Sequence, residues 1–430
     1  MAKLEPFMRN VLLVLRGVFA AQIVMLVALP FLTRIYPPEA FGHFQAFQSV
    51  LAIALCVAAL RYELAIMTTR TVQGVRILLT LCLMLHFAMA TVAAVAVLFI
   101  LLAEPAWAIG SRSLLIAAPF VFLFAGIMQT LSLVVTRDDA FTVISASKVV
   151  QVTVYAVVAI ALGAGHLAFA ASLAVADGLS RLAAAYPLYY WSSRRYLIRP
   201  RRRVVAAIWL SARRHRGYPL LSMPAAFVNT VGGMITPMLV LVWFGAAATG
   251  QFALVERIAG MAVGAVGAAV SQVFTGAFST TLRSSPADAR ALFRRVTGVH
   301  FLLGVGPAIA LAAAGPWLFA TVFGEQWRTA GLFARYMSPY LLIMFVAAPV
   351  NMALTLLQHQ KVQFMWDTGR LAGVLGVWTI AGWSGLDIET AIGLHALIGS
   401  VGYAIYLWTA DRLMRQSIRP DAATGLTKRA

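Results

Sequence analysis

Apolar stretches alternate with short polar connections along almost the whole chain. A helix needs about 20 apolar residues to cross a bilayer core of about 30 Å. Twelve windows meet that length: 11–32, 44–62, 77–103, 114–136, 141–162, 168–191, 218–244, 252–275, 299–323, 336–357, 364–384 and 391–410. The pattern predicts a transmembrane helix over each, and an even number puts both termini on one side. The fold class is therefore an all-α polytopic membrane protein. No connection is long enough for a soluble domain, so any chemistry would have to take place inside the helix bundle.

The charged positions are as unevenly spread as the apolar ones. Between Ser193 and Gly217 stand Arg194, Arg195, Arg199, Arg201, Arg202, Arg203, Arg213, Arg214 and Arg216, with no acidic residue. Arginine excess in short loops marks the cytoplasmic face. The stretch therefore sets the threading and divides the chain into an N-terminal six-helix lobe (1–192), a basic cytoplasmic linker (193–217), a C-terminal six-helix lobe (218–410) and a cytoplasmic tail (411–430). Counted over all loops and helix ends, 26 basic residues fall on that side, from Lys3 and Arg9 to Lys428 and Arg429. Only four fall opposite: Arg34, Arg112, Arg328 and Arg335. Both termini are expected in the cytoplasm.

Composition narrows the class further. With 61% hydrophobic and 11% charged residues and a mean hydropathy of +0.84, the chain cannot be an ordinary soluble protein. A formal charge of +19 would suggest nucleic-acid binding in a soluble chain. Here the basic residues sit in alternate loops, as insertion requires, so no nucleic-acid partner is expected. Cys56 and Cys82 fall within or beside apolar segments and offer neither a disulfide framework nor a metal cluster. The first apolar run follows Lys3 and Arg9 and ends in Pro30, Thr33 and Arg34; its length favours a retained span over a cleaved signal. The seven histidines have no ligand spacing, and no Ser/His/Asp set, Walker loop or catalytic carboxylate pair is present. No cofactor, metal or enzymatic activity is expected.

The two halves echo each other. Gly42-His43-Phe44-Gln45-Ala46-Phe47, after the first span and its Pro30, lies on Gly250-Gln251-Phe252-Ala253-Leu254, after the seventh span and its Pro237. Six helices per half give both copies one orientation, as in parallel repeats related by a pseudo-two-fold axis along the membrane normal.

Several stretches also resemble a known family. Pro30-Phe31-Leu32-Thr33-Arg34-Ile35-Tyr36-Pro37-Pro38-Glu39-Ala40-Phe41-Gly42 is similar to the first-loop signature of the polysaccharide (O-antigen and capsule) flippases of the multidrug/oligosaccharidyl-lipid/polysaccharide exporter superfamily. Arg61-Tyr62-Glu63 resembles the end of that family's second helix. Phe323-Gly324-Glu325-Gln326-Trp327-Arg328-Thr329-Ala330-Gly331, followed by Ser338-Pro339, resembles the start of its tenth. Gly250 to Leu254 with Arg257, then Ser271-Gln272-Val273-Phe274, resembles its eighth. The resemblance implies a transporter in the bacterial inner membrane. It would carry a polyprenyl-diphosphate-linked oligosaccharide from the cytoplasmic to the outer leaflet by alternating access, for surface polysaccharide biosynthesis. Its partners would be that substrate, membrane lipids, a H⁺ or Na⁺ gradient, and other polysaccharide-assembly proteins.

Charges inside the bilayer mark candidate sites, because each costs about 2.5–3.5 kcal/mol or more unless it meets water or a partner. They are Arg16, Lys148, Asp177, Arg181, Glu256 and Arg257. Asp177 and Arg181 stand one turn apart near mid-depth, where an ion pair forms; the pair is either structural, or a coupling acid beside an anion-binding base. Arg16, Lys148 and Arg181, with Arg61 at the inner end of the second span, either snorkel or form a basic funnel for a diphosphate, with Glu63 nearby. Glu256 and Arg257 point about 100° apart on one helix, which suggests a contact to another helix or a gate. Other readings stay open: a multidrug antiporter of the same superfamily, which should have an acidic cavity; a membrane glycosyltransferase or polymerase, which should have a catalytic loop; and a non-transporting scaffold. The intramembrane set holds four bases, Arg16, Lys148, Arg181 and Arg257, against two acids, Asp177 and Glu256, and so favours an anionic substrate.

Overall fold

A computed structural model of the protein describes residues 4–103, 112–196 and 204–418. Lys3, Arg199, Arg201, Arg202, Arg203, Arg419, Lys428 and Arg429 lie outside the described residues. Within them the chain is all-helical, and no strand occurs. The helices are α1 Leu4–Ile35, α2 Pro38–Ala58, α3 Glu63–Thr68, α4 Val72–Ala103, α5 Arg112–Arg137, α6 Phe141–Ala164, α7 Ala170–Tyr196, α8 Val204–Arg214, α9 Met223–Ala262, α10 Ala268–Ser284, α11 Pro286–Phe323, α12 Arg328–Ala347, α13 Ala353–Leu356, α14 Gln360–Trp383 and α15 Ile388–Ile418. Helix fills most of each predicted window, but 44–62 leaves the helix at Ala58 and 336–357 is interrupted after Ala347 by a 3-10 turn before Ala353–Leu356. Residues 204–214 of the arginine-rich linker are also helical, and so is the chain to Ile418.

Local chemistry explains where the helices stop. After α1 the pair Pro37-Pro38 forces an extended Pro37 (φ −70°, ψ 159°) and puts a proline at the first position of α2, where its missing N–H costs nothing. Left-handed residues make other turns: Leu60 and Arg61 after α2, Asp139 after α5, His166 after α6 and Gln358 after α13. Asp387 caps α15 by accepting from the Thr390 amide at 2.9 Å, a bond that holds this carboxyl below its ordinary range. Within α9, Gly245 has φ 82° and ψ 177°, open only to glycine, so the helix is really two segments, 223–244 and 246–262. The break falls where the sequence predicts a turn between two spans.

The chain forms two compact units, 1–253 with 322–326, and 254–321 with 327–430. In the first, α6 lies between α1 and α7, and α5 between α4 and α7. Lipid is as apolar as leucine, so close approach of small residues and buried hydrogen bonds must hold such helices together. Gly17 of α1 sits on Ser145 of α6, where an added methyl carbon would come within 2.4 Å of the serine Cβ. The Tyr36 hydroxyl donates to the Ala159 carbonyl at 2.8 Å, and His86 Nε2 bonds Thr130 Oγ1 at 2.9 Å. In the second unit α15 packs along α12 and α14, and α11 meets α12 backbone to backbone at Gly315 and Gly331. Phe274, Phe278, Phe293, Tyr406 and Met414 fill one end of it.

Candidate functional site

Three of the predicted cations of the first unit stand around neighbouring helix crossings. Arg16 is exposed on α1, next to the Gly17–Ser145 contact, and Lys148 is exposed on α6 one turn beyond Ser145. Among the described residues no ion pair involves either. Ser147, beside Lys148, donates to the Ala184 carbonyl of α7 at 2.7 Å, and Arg181 lies one turn before Ala184. Arg181 Nε donates to Asp177 Oδ2 at 2.7 Å, with the two side chains 19% and 8% exposed. The structure therefore pairs Asp177 with Arg181 on the buried face of α7 and leaves Arg16 and Lys148 exposed.

Arg61 lies in the turn between α2 and α3. Its left-handed turn (φ 62°) leads into α3, which packs on α4 and α5. Arg61 Nη1 lies 3.8 Å from Glu63 Oε1, and the Glu63 side chain is only 3% exposed. Among the described residues Glu63 Oε2 and Arg61 Nε have no hydrogen-bond partner. Glu63 lies outside the membrane spans, and burial pushes its carboxyl above the ordinary range against the opposing pull of its own backbone N–H and of Arg61. A single long contact thus ties the fourth predicted cation to a nearly buried acid.

Other residues at the arginine-rich ends escaped the sequence reading. Asp138 accepts from the Tyr196 hydroxyl at 2.8 Å and lies 3.3 Å from Arg137 and 3.6 Å from Arg195. Arg76 donates twice to the Arg195 carbonyl, at 3.0 and 2.7 Å. In the second unit Asp411 of α15 accepts from Arg290 and Arg294 of α11, both at 2.9 Å, and from Arg415 at 3.0 Å. The available signal was a single acid among many arginines. Arg415 is a local i,i+4 partner, but Arg290 and Arg294 lie 121 and 117 residues away, so no local pattern names those two.

Parts of three signature stretches meet within the first unit. A methyl carbon added at Gly42 would lie 1.9 Å from the Ala246 carbonyl oxygen, and one added at Gly250 would lie 1.8 Å from the Pro38 oxygen. Pro38 and Ala246 each precede the glycine of their own segment by four residues, so the contact is reciprocal. Beside it the Gln326 side-chain amide donates to the Thr33 carbonyl at 2.5 Å, and the Gln251 amide donates to the Gln326 carbonyl at 2.8 Å. The two sequence echoes are thus each other's packing partners.

Glu256 and Arg257 follow on α9 in the second unit, the first exposed and the second half-buried. Glu256 is within electrostatic reach of Tyr340 on α12 and Tyr403 on α15. Those rings lie 6.1 Å apart, Trp366 lies 5.5 Å from Tyr403, and the Arg370 guanidinium lies 5.3 Å from the Trp366 centroid. Among the described residues no three His, Cys, Asp or Glu side chains gather as metal ligands.

An all-helical membrane bundle of this form is shared with transporters of the MOP superfamily. The chain is similar to a multidrug resistance MATE family transporter in an inward-facing conformation (TM-score 0.60, 13% identity, 93% of this chain and 96% of that one). It is also similar to a MOP superfamily transporter from Pyrococcus furiosus (0.55, 12%, 96% of both chains). A MATE transporter of Vibrio cholerae is a third likeness (0.52, 13%, 96% of this chain and 97% of that one). The profile of the family described as polysaccharide biosynthesis protein matches residues 31–331, well over half of the chain, and the chain belongs to that family. No curated protein matches it.

Proposed function

We propose that this protein is a flippase that moves a polyprenyl-diphosphate-linked oligosaccharide across the bacterial inner membrane for surface polysaccharide biosynthesis. The observation that carries the reading is the exposure of Arg16 and Lys148 on the packed helices α1 and α6, without an acidic partner among the described residues, with Arg181 on the adjoining α7. Fixed cations between low-dielectric walls concentrate their field on an anion such as a diphosphate. A cationic drug would need the reverse polarity, and the acid nearest to hand, Asp177, already has Arg181 as its partner. Membership of a polysaccharide biosynthesis family supports a glycan as the cargo.

In this reading Arg16, Lys148 and Arg181 receive the diphosphate from the cytoplasmic side, where both termini lie. Arg61 contributes after release from Glu63. Asp177 orients and tunes Arg181 for the diphosphate, and Glu256 and Arg257 make structural contacts within the second unit, Glu256 toward Tyr340 and Tyr403. The lobes are 1–192 and 218–410, joined by 193–217 and followed by the tail 411–430; transport draws on a H⁺ or Na⁺ gradient or on the substrate's own gradient.

The test is reconstitution into vesicles with a labelled lipid-linked oligosaccharide. The sugar should become accessible to a membrane-impermeant glycosidase on the far side in a protein-dependent manner. Drug efflux without movement of the glycan would support the multidrug antiporter instead.

A further inference from the structure

The geometry points to α8 as a docking face for anionic lipid headgroups, holding the arginine-rich linker down on the membrane surface. This does not depend on which substrate the protein carries.

The helix has two distinct faces. On one, Ile208 and Ala212 pack against the cluster that includes Tyr62, Ile66, Val75 and Leu79, and the Tyr62 hydroxyl donates to the Ala212 carbonyl at 3.1 Å. On the other, Trp209 and Leu210 are 62% and 65% exposed. Arg213 and Arg214, one turn later on the same rows, are also exposed. Two large apolar side chains beside two guanidinium groups are costly in water. They suit a bilayer interface, where the rings and aliphatic carbons enter the acyl boundary and the charges stay among the phosphates.

The guanidinium of Arg213 is also arranged for this, 5.5 Å from the Trp209 ring centroid. A guanidinium stacked on a ring keeps its N–H edge free to donate to phosphate oxygens. No acid stands between 193 and 217 in the sequence, and among the described residues neither Arg213 nor Arg214 has an acidic partner. Charge complementarity therefore selects a phosphate-bearing surface, and the exposed Trp209 and Leu210 select one with acyl chains beneath it. An acidic soluble protein would match the charge but not the apolar half.

The test uses the full-length protein with an environment-sensitive fluorophore on Leu210→Cys; the native Cys56 and Cys82 are buried. It is reconstituted in nanodiscs of phosphatidylcholine alone or mixed with phosphatidylglycerol. Emission should shift to the blue, and quenching by acyl-chain bromines should rise, when phosphatidylglycerol is present. High salt, or Arg213→Gln with Arg214→Gln, should reverse both changes. A label that reports water in both lipids overturns the proposal. So does a response unaffected by the arginine substitutions, or one that inorganic diphosphate produces equally well in phosphatidylcholine, since the face would then bind free phosphate groups. A double variant that fails to fold is recognised by its unfolding profile, and the salt series on the parent protein then decides.

Discussion

Replacing Gly250 by alanine probes the contact on which the two echoed stretches meet. The new methyl carbon would lie 1.8 Å from the Pro38 oxygen and 2.7 Å from its carbonyl carbon. Real Cβ atoms essentially never approach within 3.0 Å, so the backbones must part by at least 1.2 Å (3.0 minus 1.8). The obstacle is a carbonyl in the first turn of α2, not the tip of a side chain, so no rotamer change relieves it. Overpacking a well-filled contact costs about 1–3 kcal/mol, and a backbone obstacle places this change toward the upper end. The separation would also stretch the bonds from Gln251 to Gln326 and from Gln326 to Thr33, which lie alongside. Chemical and thermal unfolding of the purified protein measures the loss. Gly260→Ala is the control: that helical glycine has nothing within 4 Å, and alanine there should be neutral or stabilising by up to about 1 kcal/mol. Gly42→Ala meets the Ala246 oxygen at 1.9 Å and should cost a similar amount. Because one separation relieves both clashes, the double variant should lose less than the sum of the two single losses. If Gly250→Ala behaves like Gly260→Ala, or the pair is strictly additive, the reasoning is wrong.

Alanine at Arg16, Lys148 or Arg181 should cost about 1.5–3 kcal/mol of substrate binding, roughly ten- to a hundredfold in apparent affinity, at normal membrane levels; wild-type transport by all three variants sinks the cationic path. For Glu63 the folded-state pKa is raised, so its stabilising contribution is complete below the unfolded value of 4.5 and is lost as pH rises through the folded value. Glu63→Gln should therefore flatten the decline in unfolding temperature above that pH, and an unchanged profile would place the titration elsewhere. Asp411→Asn should destabilise the protein by about 1–3 kcal/mol, discounted for the exposure of Arg294 and Arg415, because three guanidinium groups lose their shared acceptor. The loss should shrink in high salt, and a salt-independent loss would point to packing instead.

Much of this protein was legible as a one-dimensional pattern. Span length and charge asymmetry are properties of the chain itself, so the twelve windows, the break near Gly245 and the membrane class could be read from it. The pairing of Asp177 with Arg181 was legible for the same reason, since helical periodicity fixes which neighbours on one helix share a face. That periodicity does not say which other helix will face them. Asp411 finds Arg290 across 121 residues and Gln326 finds the Thr33 carbonyl across 293; only the tertiary structure decided these. Arg61 meets Glu63, two residues on and already the nearby acid in the sequence, in the turn before α3, which packs on α4 and α5. The echo between Gly42 and Gly250 was visible as repetition. That the two glycines touch depends on the three-dimensional path of the chain, and the physical reason for both is one fact: only glycine lets two helix backbones come that close.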